Sequence, residues 1–112
     1  MARIDYVELP SLTAHELTRA FYNKAFGWTF TDYGSDYSAT STGDVDVGLN
    51  GHDEESLSAP LPVIRVDDID AAFDQVGKAG GVIAKAIFSF PGGRRFHFID
   101  PSGSELAVWS DR

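Results

Sequence analysis

The sequence predicts an α+β fold of two βαβββ modules, each a mixed sheet with its helix on one side, and three observations predict it. A strand, a helix and three further strands can be read over residues 1–51 and again over 61–112, separated by a polar, acidic, proline-ended linker at 52–60. The repeat length of about fifty-five residues marks an internal duplication. The halves also echo one another locally, Ala20-Phe21 against Ala72-Phe73 and Val47-Gly48-Leu49 against Leu106-Ala107-Val108. Finally, residues 94–109 read as a hairpin around Asp100-Pro101-Ser102-Gly103, with Asp, Pro and Gly where a type I turn wants them. Alternation puts Phe96, Phe98, Leu106 and Val108 on one face and Arg95, His97, Glu105, Ala107 and Trp109 on the other. Helices should cover the first face, leaving the second to a ligand, a partner or solvent.

Each element follows from its own pattern. Residues 4–9 alternate as a strand, with Val7 and Leu9 on one face and Ile4, Tyr6 and Glu8 on the other. Thr13-Ala14-His15-Glu16 has the form of a capping box, with Leu12 and Leu17 placed as its hydrophobic staple. A helix starting there carries the apolar stripe Leu17, Ala20, Phe21 and Ala25 and stops at Gly27, with His15 solvated in its first turn. Residues 28–33, 37–42 and 45–50 read as three strands, and His52 in the linker reads as exposed. In the second half, residues 61–66 form a strand and Asp67 or Asp68 caps a helix bearing Ile69, Ala72, Phe73 and Val76. Gly80-Gly81 ends that helix, residues 82–88 form a strand, and a loop through Pro91-Gly92-Gly93 leads into the final hairpin.

The composition excludes several functions. Among 112 residues there is no cysteine, which removes disulfides, thiolate metal sites and cysteine nucleophiles. A formal charge of −8 repels polyanions, so nucleic acid is not an expected partner, and a cationic ligand would be favoured. No run approaches the length of a membrane span and the first twenty residues hold no apolar leader core, so a soluble cytoplasmic protein is expected, with no membrane partner.

Three segments together resemble the vicinal oxygen chelate superfamily of glyoxalase I, bleomycin-resistance proteins and extradiol dioxygenases. They are Ala20-Phe21-Tyr22-Asn23-Lys24-Ala25-Phe26-Gly27-Trp28, then Val66-Asp67-Asp68-Ile69, and residues 96–109 with their Asp-Pro-Ser-Gly turn. The resemblance implies a curled, cup-like sheet with helices outside, a ligand cavity inside and usually a homodimer. Metal-dependent members place His, Gln or Glu ligands on the first and last strands of each module. The matching positions here are Tyr6, Gly48, Leu61 and Ala107, none a usual ligand, so the resemblance implies neither a metal site nor another cofactor. The chemistries that use the metal as Lewis acid are thereby placed in doubt.

The leading expectation is a metal-free protein that binds a small organic ligand. Its wall would be Tyr6, Glu8, Gly48, Asn50, Val63, Arg65, Arg95, His97, Ala107 and Trp109, with Gly48 and Ala107 leaving room. A second reading is a lyase or isomerase in which Glu8 or His97 is the acid or base and Arg95 steadies an oxyanion. A third is an interaction module with no small-molecule site. A homodimer is expected, because two such modules leave exposed sheet edges.

Overall fold

The structure, a computed structural model, describes residues 2–52 and 58–112. Its chain order is β1 (Arg3–Pro10), α1 (His15–Phe26), β2 (Thr31–Asp32), β3 (Tyr37–Ala39), β4 (Asp46–Asn50), β5 (Leu61–Arg65), α2 (Ile69–Lys78), β6 (Val82–Phe90), β7 (Gly93–Ile99) and β8 (Glu105–Ser110). That is βαβββ twice, an α+β fold with parallel and antiparallel pairs. Two compact units divide the chain: Tyr6–Leu61 forms one, and the residues up to Asp5 join Pro62–Arg112 in the other. The first strand therefore contributes to both units, where the sequence suggested that it belonged wholly to the first. Residues 53–57 of the expected linker lie outside the described residues.

In the first unit the strand order is β2, β3, β4, β1. The β1–β4 pair is parallel, with Glu8 opposite Gly48, and β3 runs antiparallel to β4, with Tyr37 opposite Asn50. Two of these strands are shorter than their alternation suggests. Residues 28–30 do not join the ladder because helix side chains take their carbonyls: Asn23 Nδ2 donates to the Trp28 carbonyl at 2.9 Å, and an Arg19 Nη to that of Phe30 at 3.4 Å. The Trp28 ring stacks on Tyr22, with centroids 5.0 Å apart. β3 ends at Ala39 because the Asp46 carboxylate gathers the Thr40 hydroxyl and the Thr42 and Gly43 amides into a loop.

The start of α1 differs from the sequence reading. Residues Leu12–Ala14 form a 3-10 turn, the helix begins at His15, and no side chain caps it. Leu12 adopts a left-handed φ of 45°, so the chain turns too sharply for Thr13 to reach back as a cap. The consequence is that His15 points inward and is buried, where solvent was expected. The stripe expected to face the core faces water instead: Leu17 is 77% and Phe21 57% exposed, and Ala20 and Ala25 are exposed with them. Gly27 does end the helix, with φ 72° and its amide bonded to the Asn23 carbonyl at 2.8 Å.

In the second unit the order is β5, β8, β7, β6, with β5 parallel to β8 and the rest antiparallel. Asp68 caps α2, its carboxylate accepting from the Ala71 amide at 3.0 Å. One face of this sheet packs on the helix: Ile69, Phe96 and Val108 are buried together, with Ile64, Ala72, Phe73, Val76 and Phe98 around them. The hairpin turn closes as expected, Asp100 Oδ1 accepting from the Ser102 and Ser104 amides and Gly103 taking φ 93°. β6 runs two residues beyond the expected strand, to Phe90, and carries register irregularities between Ile83 and Lys85 and between Lys85 and Phe88.

Candidate functional site

The faces turned away from the helices carry the polar chemistry, and each unit has its own set. In the first unit, strand alternation and register bring Tyr6, Glu8, Gly48 and Asn50 onto one face, as the sequence predicted. They are joined by Tyr37, which periodicity did not single out. Glu8 is only 2% exposed, so its carboxylate needs partners. Tyr37 donates to Glu8 Oε2 at 3.0 Å and Asn50 Nδ2 donates to Oε1 at 3.2 Å. Because the Tyr37 hydroxyl spends its proton on Glu8, the Tyr6 hydroxyl, 2.5 Å away, donates to it. Burial, and then the neighbouring Glu8 carboxylate, push the Tyr37 pKa far above the ordinary phenol value, so it remains a donor throughout the physiological range.

The same network reaches the start of the linker. Asn50 Oδ1 accepts from the His52 amide at 2.9 Å, which together with the bond to Glu8 fixes the orientation of the Asn50 side chain. His52, expected to be exposed and unattached, is half-buried: Nδ1 lies 2.9 Å from Asp36 Oδ2 and the ring stacks on Tyr37. The room anticipated above Gly48 is taken. A Cβ there would overlap the hydroxyls of Tyr6 and Tyr37, so glycine is required by these two phenols.

In the second unit Val63, Arg65, Arg95, His97, Ala107 and Trp109 share a face, with Val63 opposite Ala107, Arg65 and Arg95 opposite Trp109, and His97 opposite Ala107. Val63 and Ala107 are buried, Ala107 completely. His97, 2% exposed, is held at both nitrogens: Arg95 Nη2 lies 2.9 Å from Nε2, and Glu105 Oε2 lies 2.8 Å from Nδ1. Arginine offers only donors, so Nε2 accepts and the proton sits on Nδ1, donated to Glu105. Burial lowers the His97 pKa, and although the Glu105 hydrogen bond opposes this, the Arg95 and Lys85 charges add to the lowering. The ring is therefore neutral at pH 7. Phe88 tilts against His97 and lies under the Arg95 guanidinium, and the Arg65 guanidinium lies 4.7 Å from the Trp109 ring centroid. Trp109 Nε1 donates to Asp5 at 3.0 Å.

A duplicated βαβββ frame with paired aromatic and ionisable faces has a counterpart among protein families. The model of the Glyoxalase/Bleomycin resistance protein/Dioxygenase superfamily matches residues 4–108, nearly the whole chain. The chain belongs to that superfamily. Solved structures of the glyoxalase superfamily fold align over almost all of it. A superfamily member from Vibrio splendidus 12B01 is 20% identical with a TM-score of 0.71, covering 98% of this chain and 99% of that one. Methylmalonyl-CoA epimerase from Mycobacterium tuberculosis is 15% identical with a TM-score of 0.76, covering 96% and 86%. The Mn(II)-bound glyoxalase from Novosphingobium aromaticivorans is 22% identical with a TM-score of 0.70, covering 99% of this chain but 40% of that one. At these identities the likeness is one of fold. No curated protein matches the chain closely.

Metal-dependent chemistry in the glyoxalase superfamily needs converging side-chain donors, and the matching positions here do not fit that need. Gly48 and Ala107 have no donor atom, and Leu61 is a buried aliphatic. Tyr6 is engaged with Tyr37. Among the described residues no three His, Asp or Glu side chains gather as a metal would require.

Proposed function

We propose that this glyoxalase-superfamily protein binds a small organic molecule without a metal, on the helix-free faces of its sheets. The carrying observation is that both units bury an ionisable side chain there, Glu8 in one and His97 in the other, each only 2% exposed and oriented by hydrogen bonds. Burying such groups opposes folding unless they are fully bonded, and apolar residues would serve the core better, so their presence fits a recognition role. Tyr6, Tyr37, Phe88 and Trp109 supply aromatic area beside them. The net charge of −8 favours a neutral or cationic guest, with Arg65 and Arg95 as the local exceptions. A soluble, cytoplasmic homodimer with no nucleic-acid partner belongs to the same proposal.

The acid–base alternative, a lyase or isomerase using Glu8, His97 and Arg95, meets an obstacle in the second unit. Nε2 of His97 is the only unprotonated ring nitrogen and Arg95 occupies it, so catalysis by His97 requires Arg95 to swing away. Binding against the more accessible Phe88, Arg95 and Trp109 requires no such step.

A thermal-shift screen of small aromatic amines and neutral heteroaromatics tests the proposal. A ligand at a hundred times its Kd should stabilise the fold by about 2.7 kcal/mol. Glu8→Gln and Ala107→Trp should each diminish that gain. Stabilisation that survives both replacements would place binding elsewhere and overturn the assignment.

A further inference from the structure

Residues 28–30 leave the ladder and run beside α1, and a recess opens between the two. Asn23 Nδ2 and an Arg19 Nη hold the Trp28 and Phe30 carbonyls to the helix. Between those anchors the helix presents Ala20, whose methyl group does not fill the space. The recess measures about 360 Å³ and is lined by Arg19, Ala20, Asn23, Trp28, Thr29 and Phe30, a size that suits a small organic ligand. One wall is preorganised: the Trp28 ring stacks on Tyr22 with 10° between the planes, and the Phe26 centroid lies 5.6 Å away.

The polar side chains at this recess are only partly engaged. Arg19 donates from Nη2 to Asp32 Oδ2 at 3.2 Å and keeps Nε 3.0 Å from Oδ1, while the Ser38 hydroxyl donates to the same carboxylate at 2.6 Å. Arg19 Nη1 makes no hydrogen bond to a protein group among the described residues, and neither do Asn23 Oδ1 and the Thr29 hydroxyl. A ligand that bonds to them displaces water and breaks no hydrogen bond within the protein.

We propose that the recess binds a neutral, planar aromatic amide. The ring lies against Trp28 and Phe30, the amide carbonyl accepts from Arg19 Nη1, and the amide N–H donates to Asn23 Oδ1. A donor and an acceptor bordering one aromatic recess match the two ends of an amide. A carboxylate would set one acceptor against another at Asn23 Oδ1, and a cation would meet the guanidinium. The net charge of −8 further disfavours an anion and leaves a neutral guest unaffected. This site is separate from the helix-free faces and does not rest on the function proposed for them. The recess is small and open on one side, so benzamide should bind with Kd on the order of 1 mM.

Titration of the isotopically labelled full chain with benzamide, followed through its backbone, side-chain amide and indole N–H signals by NMR, tests the assignment. The Trp28 indole, the Asn23 side chain and the Thr29 amide should shift together and saturate. N,N-dimethylbenzamide keeps the ring and the carbonyl but has no N–H, and benzoate keeps the ring but carries a charge; each should bind about tenfold more weakly. Arg19→Met should weaken benzamide by a similar factor. Ala20→Phe fills the recess from an exposed helix position, so it should abolish the shifts while the rest of the spectrum stays as in wild type. No saturable shift at Trp28 up to about 20 mM benzamide, equal affinity for the three probes, or binding that survives Ala20→Phe would each overturn the proposal. Shifts confined to the Trp109 indole would assign benzamide to the other unit and overturn it equally.

Discussion

His97 shows how one side chain's surroundings decide its protonation. Its ring is buried, one nitrogen faces a guanidinium and the other a carboxylate, and the depressed pKa follows first from burial. Since the folded state holds His97 neutral while the unfolded chain titrates near the ordinary histidine value of about 6.5, the unfolded state binds more protons below that pH. Stability is thus fully present above about pH 6.5 and is lost as pH falls towards the depressed folded pKa, at up to about 1.4 kcal/mol per pH unit for one proton. His97→Gln can keep a donor and an acceptor but cannot titrate. Chemical denaturation between pH 7.5 and 5 should show a shallower fall for the variant than for wild type; parallel curves would mean that His97 takes up its proton equally readily in the folded and unfolded states. Gly48 makes a complementary point. Its lack of a side chain marks the place where two phenols from strands 31 residues apart meet above it, and only the fold reveals that the space is filled.

The two helices differ in how they begin. Asp68 and the Ala71 amide form a cap that the sequence announces, since an Asp immediately before an apolar-periodic run is a local signal. The Thr13 box looks equally clear, yet Leu12 at φ 45° turns the chain into a 3-10 turn and the helix starts one residue later, at His15. What the turn gains is long-range: His15 Nδ1 lies 2.7 Å from the Ser11 hydroxyl and Nε2 lies 3.0 Å from that of Ser38, which donates to Asp32 at 2.6 Å. Bonds across 23 residues leave no trace in a local pattern. In urea, Asp68→Ala should lower stability by about 1 kcal/mol, whereas Thr13→Ala should change it by less than about 0.5 kcal/mol. Equal losses would restore the capping role to Thr13. The same contrast explains which elements were legible. The Asp100 turn, the Gly27 stop and the faces of β7 and β8 are set by neighbours in sequence. The truncation of residues 28–33 and the outward turn of Leu17 and Phe21 are set by side chains that periodicity does not see.

At the scale of the whole molecule, duplication and the ordered motifs were enough to reach the superfamily, and alternation was enough to assign the ten candidate residues to strand faces that the structure turns away from the helices. The partners of those residues were legible only in part. Alternation already placed Glu105 on the face of His97, and Phe88 reaches the ring from the neighbouring strand, whereas Tyr37 enters the Glu8 network through pairing between strands distant in sequence. These networks also oppose metal binding, because two oxygens of Glu8 and two nitrogens of His97 already bond to protein groups, and Gly48 and Ala107 contribute no donor. Binding a divalent ion would mean exchanging these bonds for an incomplete coordination shell. Native mass spectrometry of the freshly purified protein, with elemental analysis of the same sample, tests this most directly. Nickel, zinc, manganese and iron should all be substoichiometric, and organic adducts should appear that Ala107→Trp abolishes. One metal ion per chain, retained through dialysis and lost on Glu8→Gln or His97→Gln, would contradict it.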